Sequence, residues 1–307
     1  MGIDRIYEIL EYMPDKMRTM LSKVFDITHD NIEEIRIRIG KPLIIKASGM
    51  SYAVSEESLL TSDFASGYIV KYLDTKAIFN AICENSVYAY LEEIKQGFIT
   101  IKGGHRVGFV GDGVASNEKM ENFRHISSIN IRIARQVFGV SDMVMDKIIV
   151  DKNVVNTIVI APPGVGKTTW LRDIARNISN AKFATAIADD RGELAAMYKG
   201  VPQNDIGLET DVMFGVPKPL AMVMMLRSMS PMVMISDEIS TSDDVAAVLS
   251  VVGTGVNLIA SSHGETLKDI MKRNILQPLF TQKVFKQALI LSRKEDKTVT
   301  CQMVPIL

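Results

Sequence analysis

The chain has 307 residues, 47% of them apolar, which at roughly 150 residues per domain suggests two ordinary cores. Thirty-five Lys and Arg against 36 Asp and Glu leave a net charge of −1, which argues against the overall basic field of a DNA-coating protein. Two distant cysteines, Cys83 and Cys301, fit neither a disulfide framework nor a zinc site and suit a reducing cytoplasm.

Charges spread through Met1–Met20 leave no apolar core for a secretory leader. Residues 6–24 carry apolar side chains at helical spacing and predict one or two helices. Ile35, Ile37 and Ile39 alternate with Arg36 and Arg38, the period-2 pattern of a strand with one wet face; a second strand starts near Leu43. A helix is expected around 68–86. Phe98–Ile101 and Val107–Val110 predict two strands joined at Lys102-Gly103-Gly104-His105, where the glycine pair suits a tight turn. Ile129, Ile131 and Ile133 predict another half-wet strand, and a boundary follows near 139–146. No stretch reaches the roughly 18 apolar residues of a membrane span, so any membrane role is expected to be peripheral.

The period then changes. A short apolar, β-branched run at 154–160 leads through a glycine loop into a helix at 167–178. Further strands are expected at 183–188, 232–235, 258–260, 284–291 and 298–304, with a helix at 242–252. Strands alternating with helices imply a parallel sheet covered on both faces. The expected division is a smaller α+β domain at 1–145 and a P-loop α/β domain at 146–307.

The strongest motif is Ala161-Pro162-Pro163-Gly164-Val165-Gly166-Lys167-Thr168-Thr169. It matches the phosphate-binding loop except for Ala161 in place of the first glycine, and it stands between a strand and a helix as the chemistry requires. Glycines let backbone N–H groups close on phosphate oxygens, and the helix N-terminus adds partial positive charge. Lys167 is expected to reach the β- and γ-phosphates of ATP, and the Thr168 hydroxyl to bind Mg²⁺. The missing glycine raises a question of loop geometry, since alanine lacks access to positive φ.

A second motif, Pro231–Glu238, is an apolar strand ending in two acids. It is expected to lie beside the loop, with Asp237 holding Mg²⁺ through water and Glu238 polarising the attacking water. The bland alternative is an acidic cap on the next helix. Asp189, Asp190 and Glu193 end the second strand of the sheet, where they either reach the metal or the water, or form a solvated turn. Whether Glu193 or Glu238 is the general base stays open. His263, at the end of the fourth strand, either senses the γ-phosphate or is structural. Arg227 precedes the 232–235 strand and is a candidate for nucleotide or neighbouring-subunit contact. The methionines at 222, 224 and 225 read as core filler. Arg106, Arg124, Arg132 and Arg135 are candidates for fingers that reach a nucleotide in an oligomer.

With these residues in place, the sequence resembles the stage III sporulation protein AA family, among the ATPases related to type II and type IV secretion motors. The resemblance runs through Glu34–Pro42, Gly97–Gly108, Ile126–Val137, Ala161–Asp173, Asp189–Ala195, Leu226–Ile239 and Ser262–Gly264. It implies an N-terminal domain followed by a RecA-like motor domain, usually in a hexameric ring. It implies a cytoplasmic ATPase docked on a membrane-embedded channel during spore formation. Its acid and histidine boxes map onto Asp189–Glu193 and His263. Departures are Ala161, Asp190, Gly192 and Ser240. The alternative class is a nucleic-acid translocase on the same core, which the neutral charge disfavours.

Overall fold

Alternation of buried and wet residues dictates the first sheet. In the computed structural model, which describes residues 3–28, 31–116, 119–294, 296 and 298–306, Ile35 and Ile37 of β1 (Ile32–Arg38) are fully buried. Arg36 between them turns to the other face and binds Glu34 Oε2. The chain divides into two units, Met1–Arg135 with Tyr198–Gln203, and Gln136–Met197 with Asn204–Leu307.

The first unit opens with α1 (Ile3–Tyr7), a 3-10 turn and α2 (Asp15–Thr28), which buries Met17, Met20, Leu21, Val24 and Phe25. After β1 come β2 (Ile44–Ala47), β3 (Met50–Val54), β4 (Leu60–Thr61), α3 (Tyr72–Ile82), α4 (Leu91–Gln96) and β5 (Phe98–Thr100). The helix expected over 68–86 is therefore shorter. A long hairpin of β6 (Arg106–Ser116) and β7 (Lys119–Arg132) completes an antiparallel sheet of order β4-β3-β2-β1-β7-β6-β5. Its apolar face packs with the helices in one core.

The tight turn before β6 forms as expected, with Gly103 and Gly104 both at φ near 80°. His105 then locks it. Its Nδ1 accepts the Ala134 N–H at 3.0 Å and its Nε2 donates to the Arg5 carbonyl at 2.9 Å. Burial pushes this imidazole down to about 4. Beyond Val110 and Ser127 the described residues of the hairpin pair only with each other, and the ladder bulges at Gly111, where a Cβ would meet the His125 carbonyl oxygen at 1.9 Å.

The second unit carries α5 (Met145–Ile148) and the small hairpin β8 (Ile149–Val150) with β9 (Asn153–Val154). Its main sheet uses β10 (Thr157–Ala161), β11 (Thr185–Asp189), β14 (Thr210–Phe214), β15 (Val233–Ser236), β16 (Asn257–His263), β17 (Gln287–Arg293) and β18 (Val299–Pro305). The two-residue strands β12 (Met197–Tyr198) and β13 (Val201–Pro202) pair with each other. The main order is β14-β11-β15-β16-β10-β17-β18. All its neighbours run parallel except β18, which returns antiparallel to β17. The five residues joining those two strands are too few for a parallel crossover. The expected parallel sheet is present, with one antiparallel edge strand.

The helices are α6 (Lys167–Asn180), α7 (Lys218–Ser228), α8 (Ser242–Val252), α9 (Leu267–Met271) and α10 (Gln277–Thr281). Alternate strand residues feed two cores. Val159, Ile187, Ile235 and Ile259 pack with Leu171, Ile174 and Ile178 of α6. Ile158, Ile160, Met234 and Ala260 pack with α7 and α8. Met222 and Met225 fill the latter core, whereas Met224 is exposed. The family-like RecA architecture follows: a parallel sheet covered on both faces, with the antiparallel sheet in the first unit.

Candidate nucleotide-binding site

The phosphate loop grows out of β10, all five residues of which are buried. Ala161 ends that strand without positive φ, so the alanine occupies ordinary extended backbone and the question it raised is resolved. The turn is made by Gly164 (φ 77°) and Gly166 (φ 105°), which require glycine. Val165 instead buries its side chain in the α6-side core. The other loop residues from Pro162 to Thr169 line a cleft of about 440 Å³.

Around that cleft the strand ends deliver the predicted side chains. Lys167 is 7% exposed, and its Nζ lies 4.0 Å from Asp237 Oδ1. Burial pushes its ammonium below the ordinary lysine range, with Asp237 and Glu238 pulling it back up and Lys218 adding to the depression. Thr168 Oγ1 faces Glu193 Oε2 at 3.5 Å. Asp237 Oδ1 accepts from Ser261 Oγ at 2.9 Å. Glu238 Oε2 is 3.2 Å from His263 Nε2. Ser262 Oγ and His263 Nδ1 are buried with no hydrogen-bond partner among the described residues. Asp190, Ser240 and His263 also border the cleft.

The 232–235 strand, here β15, brings its two acids to the cleft beside the loop, with β16 between it and the loop strand; Ser261 and His263 of β16 bridge to those acids. The bland alternative of a helix cap fails, because α8 is capped by Thr241 and Asp244. One expectation needs correction. Asp189 does not face the cleft. It is 2% exposed and accepts the N–H groups of Glu193 (2.9 Å), Leu194 (3.1 Å) and Ala195 (2.8 Å). Burial pushes its carboxyl up against the pull of those amides.

Arg227 is exposed in the last turn of α7, while Lys218 at the first turn borders the cleft. At about 1.5 Å per residue, the helix carries Arg227 away from the phosphate loop of its own chain. Of the finger candidates, Arg135 donates to the Ile32 carbonyl, Arg106 stacks on Phe98, Arg132 is 4.0 Å from Glu34, and Arg124 is exposed.

Four residues escaped sequence reasoning. Arg172 of α6 donates to the carbonyls of Glu193 (2.6 Å) and Leu194 (2.8 Å), tying the acid loop to the helix that starts at Lys167. Arg293 at the end of β17 donates to the Gly164 carbonyl at 2.8 Å and props the phosphate loop. Arg191 lines the cleft. Lys218 also lines it and bonds the Glu238 carbonyl. Arg191 and Arg172 lie inside the Asp189–Glu193 and Ala161–Asp173 stretches, whose other residues drew the attention, whereas Arg293 and Lys218 lie in no motif and are brought in by the topology.

The donor set suits Mg²⁺, which favours one or two carboxylates with phosphate and water oxygens over an all-protein cage. Thr168, Asp237 and Glu193 bring oxygens to the cleft that would serve such an ion. The loop's glycines and buried lysine suit a polyphosphate.

The chain matches the family model described as Sporulation stage III, protein AA, over residues 3–303. It is 37% identical over 305 residues to Stage III sporulation protein AA of Bacillus subtilis (strain 168), covering 96% of this chain and 94% of that protein. Protein SEEDLING PLASTID DEVELOPMENT 1 of Arabidopsis thaliana is 29% identical over 318 residues, 95% of this chain and 40% of its own length. Among solved structures, the fold resembles the ATPase DotB of Legionella pneumophila (TM-score 0.60, 15% identity, 95% of this chain and 82% of that one). It also resembles the pilus retraction motor PilT with bound ADP (TM-score 0.63, 14% identity, 94% and 82%). The chain belongs to the stage III sporulation protein AA family.

Proposed function

We propose that this protein is a Mg²⁺-dependent ATPase that drives a secretion-like channel complex in sporulation. The observation that carries the reading is the convergence of Lys167, Thr168, Glu193, Asp237, Glu238 and His263 on one cleft at the carboxyl ends of the strands. Each supplies a needed part. The loop amides and Lys167 bind and orient the phosphates. Thr168 and Asp237 hold Mg²⁺, which when bound neutralises charge on the phosphate oxygens. Glu238 accepts a proton from the attacking water, and His263 fixes the orientation of its carboxylate. Glu193, beside Thr168, serves the metal side.

The working form is a homo-oligomeric ring, a hexamer by family resemblance, with an arginine of a neighbouring subunit completing the charge stabilisation. The ring sits in the cytoplasm, peripheral to the membrane through a membrane-embedded channel protein, and takes no nucleic acid. Among the described residues no helix is long and apolar enough to cross a membrane, which is consistent with that placement.

Phosphate release by the purified chain tests the reading, with Mg²⁺ or with chelator, and with DNA as a control. Wild-type protein is expected to release phosphate from ATP only with Mg²⁺, and Lys167→Ala to abolish release. Turnover in Lys167→Ala equal to wild type would overturn the site. For the ring, activity per subunit should rise with protein concentration; a flat profile would argue for a self-sufficient monomer.

A further inference from the structure

The cleft holds a second lysine that the phosphate loop does not account for. Lys218 is the first residue of α7, between Pro217 at the cap and Pro219. Prolines there preset the helix start, so the side chain leaves from a fixed point. It borders the same cleft as Lys167, Thr168, Asp237 and Glu238. Its Nζ donates to the main-chain carbonyl of Glu238.

Its partnering is incomplete. An ammonium carries three donors and a full charge. A neutral carbonyl takes one donor and leaves the charge uncompensated. Among the described residues Lys218 forms no ion pair; Asp237 lies beside Lys167 and Ser261, Glu238 beside His263, and Glu193 beside Thr168. Lys167, Arg191 and Lys218 line the cleft together with Asp190, Glu193, Asp237 and Glu238, and Lys218, fixed only to a neutral carbonyl, is the lysine there left to meet added negative charge. The location says which charge. Lys167 and the loop amides reach the β- and γ-phosphates from the loop side, whereas Lys218 is fixed to the residue whose carboxylate is assigned to the attacking water, on the other side of the γ-phosphate's place.

Resting on the nucleotide reading above, we propose that Lys218 is a catalytic residue that contacts the terminal phosphate of a bound nucleoside triphosphate, supplied by the chain that owns the phosphate loop. Because the same ammonium bonds the Glu238 carbonyl, it ties the presence of that phosphate to the segment carrying the water-polarising acid. A diphosphate leaves Lys218 with the carbonyl alone.

Binding separates this role from a structural staple between α7 and the β15 end. Calorimetry on the full chain would compare Mg²⁺·ADP with a non-hydrolysable ATP analogue in wild type, Lys218→Gln and Lys218→Met. Gln keeps a donor for the Glu238 carbonyl while removing the charge; Met removes both. In each variant the triphosphate analogue is expected to bind about ten- to a hundredfold more weakly, the range for one lost charge-assisted hydrogen bond. ADP affinity should stay within about twofold, with an unchanged melting midpoint in Lys218→Gln. Equal weakening of both nucleotides, or of neither, in Lys218→Gln would overturn the proposal. Wild-type protein that binds neither nucleotide would instead overturn the nucleotide reading, and this inference with it.

Discussion

Two strands of the second unit's main sheet end in nearly the same letters and do opposite things. β11 closes on Asp189-Asp190 and β15 leads into Asp237-Glu238, both at the carboxyl edge of one sheet. Asp189 spends its oxygens on three backbone amides and organises a loop, which Arg172 ties to α6 through two carbonyls. Asp237 and Glu238 keep their carboxylates on side chains alone: Ser261, Lys167 and His263. An acid consumed by main chain shapes the site. An acid that meets only side chains is free to exchange them for metal or water.

That contrast can be broken by mutation. The largest effect is expected from Asp189→Ala, which strands buried amides that lose a charged acceptor and should cost at least about 3 kcal/mol in chemical denaturation; Glu238→Ala should cost under about 1 kcal/mol. Equal costs would erase the distinction. The same rule extends to His105 in the other unit, whose ring is also consumed by main chain. Its folded value of about 4 lies below the ordinary 6.5. Between those values the unfolded chain holds a proton that the folded chain lacks, so stability falls as pH drops below 6.5. From pH 7 to pH 5 the loss from this group is about 2 kcal/mol, and it should vanish from the pH profile of His105→Gln. Identical profiles for variant and wild type would contradict the assignment. The smallest effect should be Glu193→Gln. It is expected to raise the Mg²⁺ needed for half-maximal turnover severalfold, with the fold intact, because its partner is the Thr168 hydroxyl. An unchanged Mg²⁺ requirement would remove Glu193 from the metal side.

Legibility in the sequence followed locality. The phosphate loop could be read because its function fixes spacing within nine residues, and β1 because one face of it is buried. The Arg106–Arg132 hairpin was seen only at its base. Its outer half sets only Phe123 and Ile126 against the core, three residues apart across a bulged ladder, so no period-2 signal exists there to read. Asp189 looked like Asp237 because the letters match. What separates them is the chain's return through Gly192 (φ 64°), which places three amides under one carboxylate. Arg227 stands close to β15 in sequence, but α7 turns it away, and the same helix delivers Lys218 from a position with no motif around it. The insertion of β16 between β15 and β10 is a property of topology, which local patterns do not encode.

The most direct test pairs two variants in one assay. ATP binding, ATP turnover and melting midpoint would be measured for Glu238→Gln and Asp189→Asn against wild type. Glu238→Gln should bind ATP as wild type does and melt at the same temperature, while turnover falls by about two orders of magnitude or more, as for loss of a general base. Asp189→Asn should lower the melting midpoint and lose turnover only in proportion to the protein unfolded. The opposite pattern, with Glu238→Gln still turning over and well-folded Asp189→Asn inactive, would place the chemistry at the end of β11 and contradict the account.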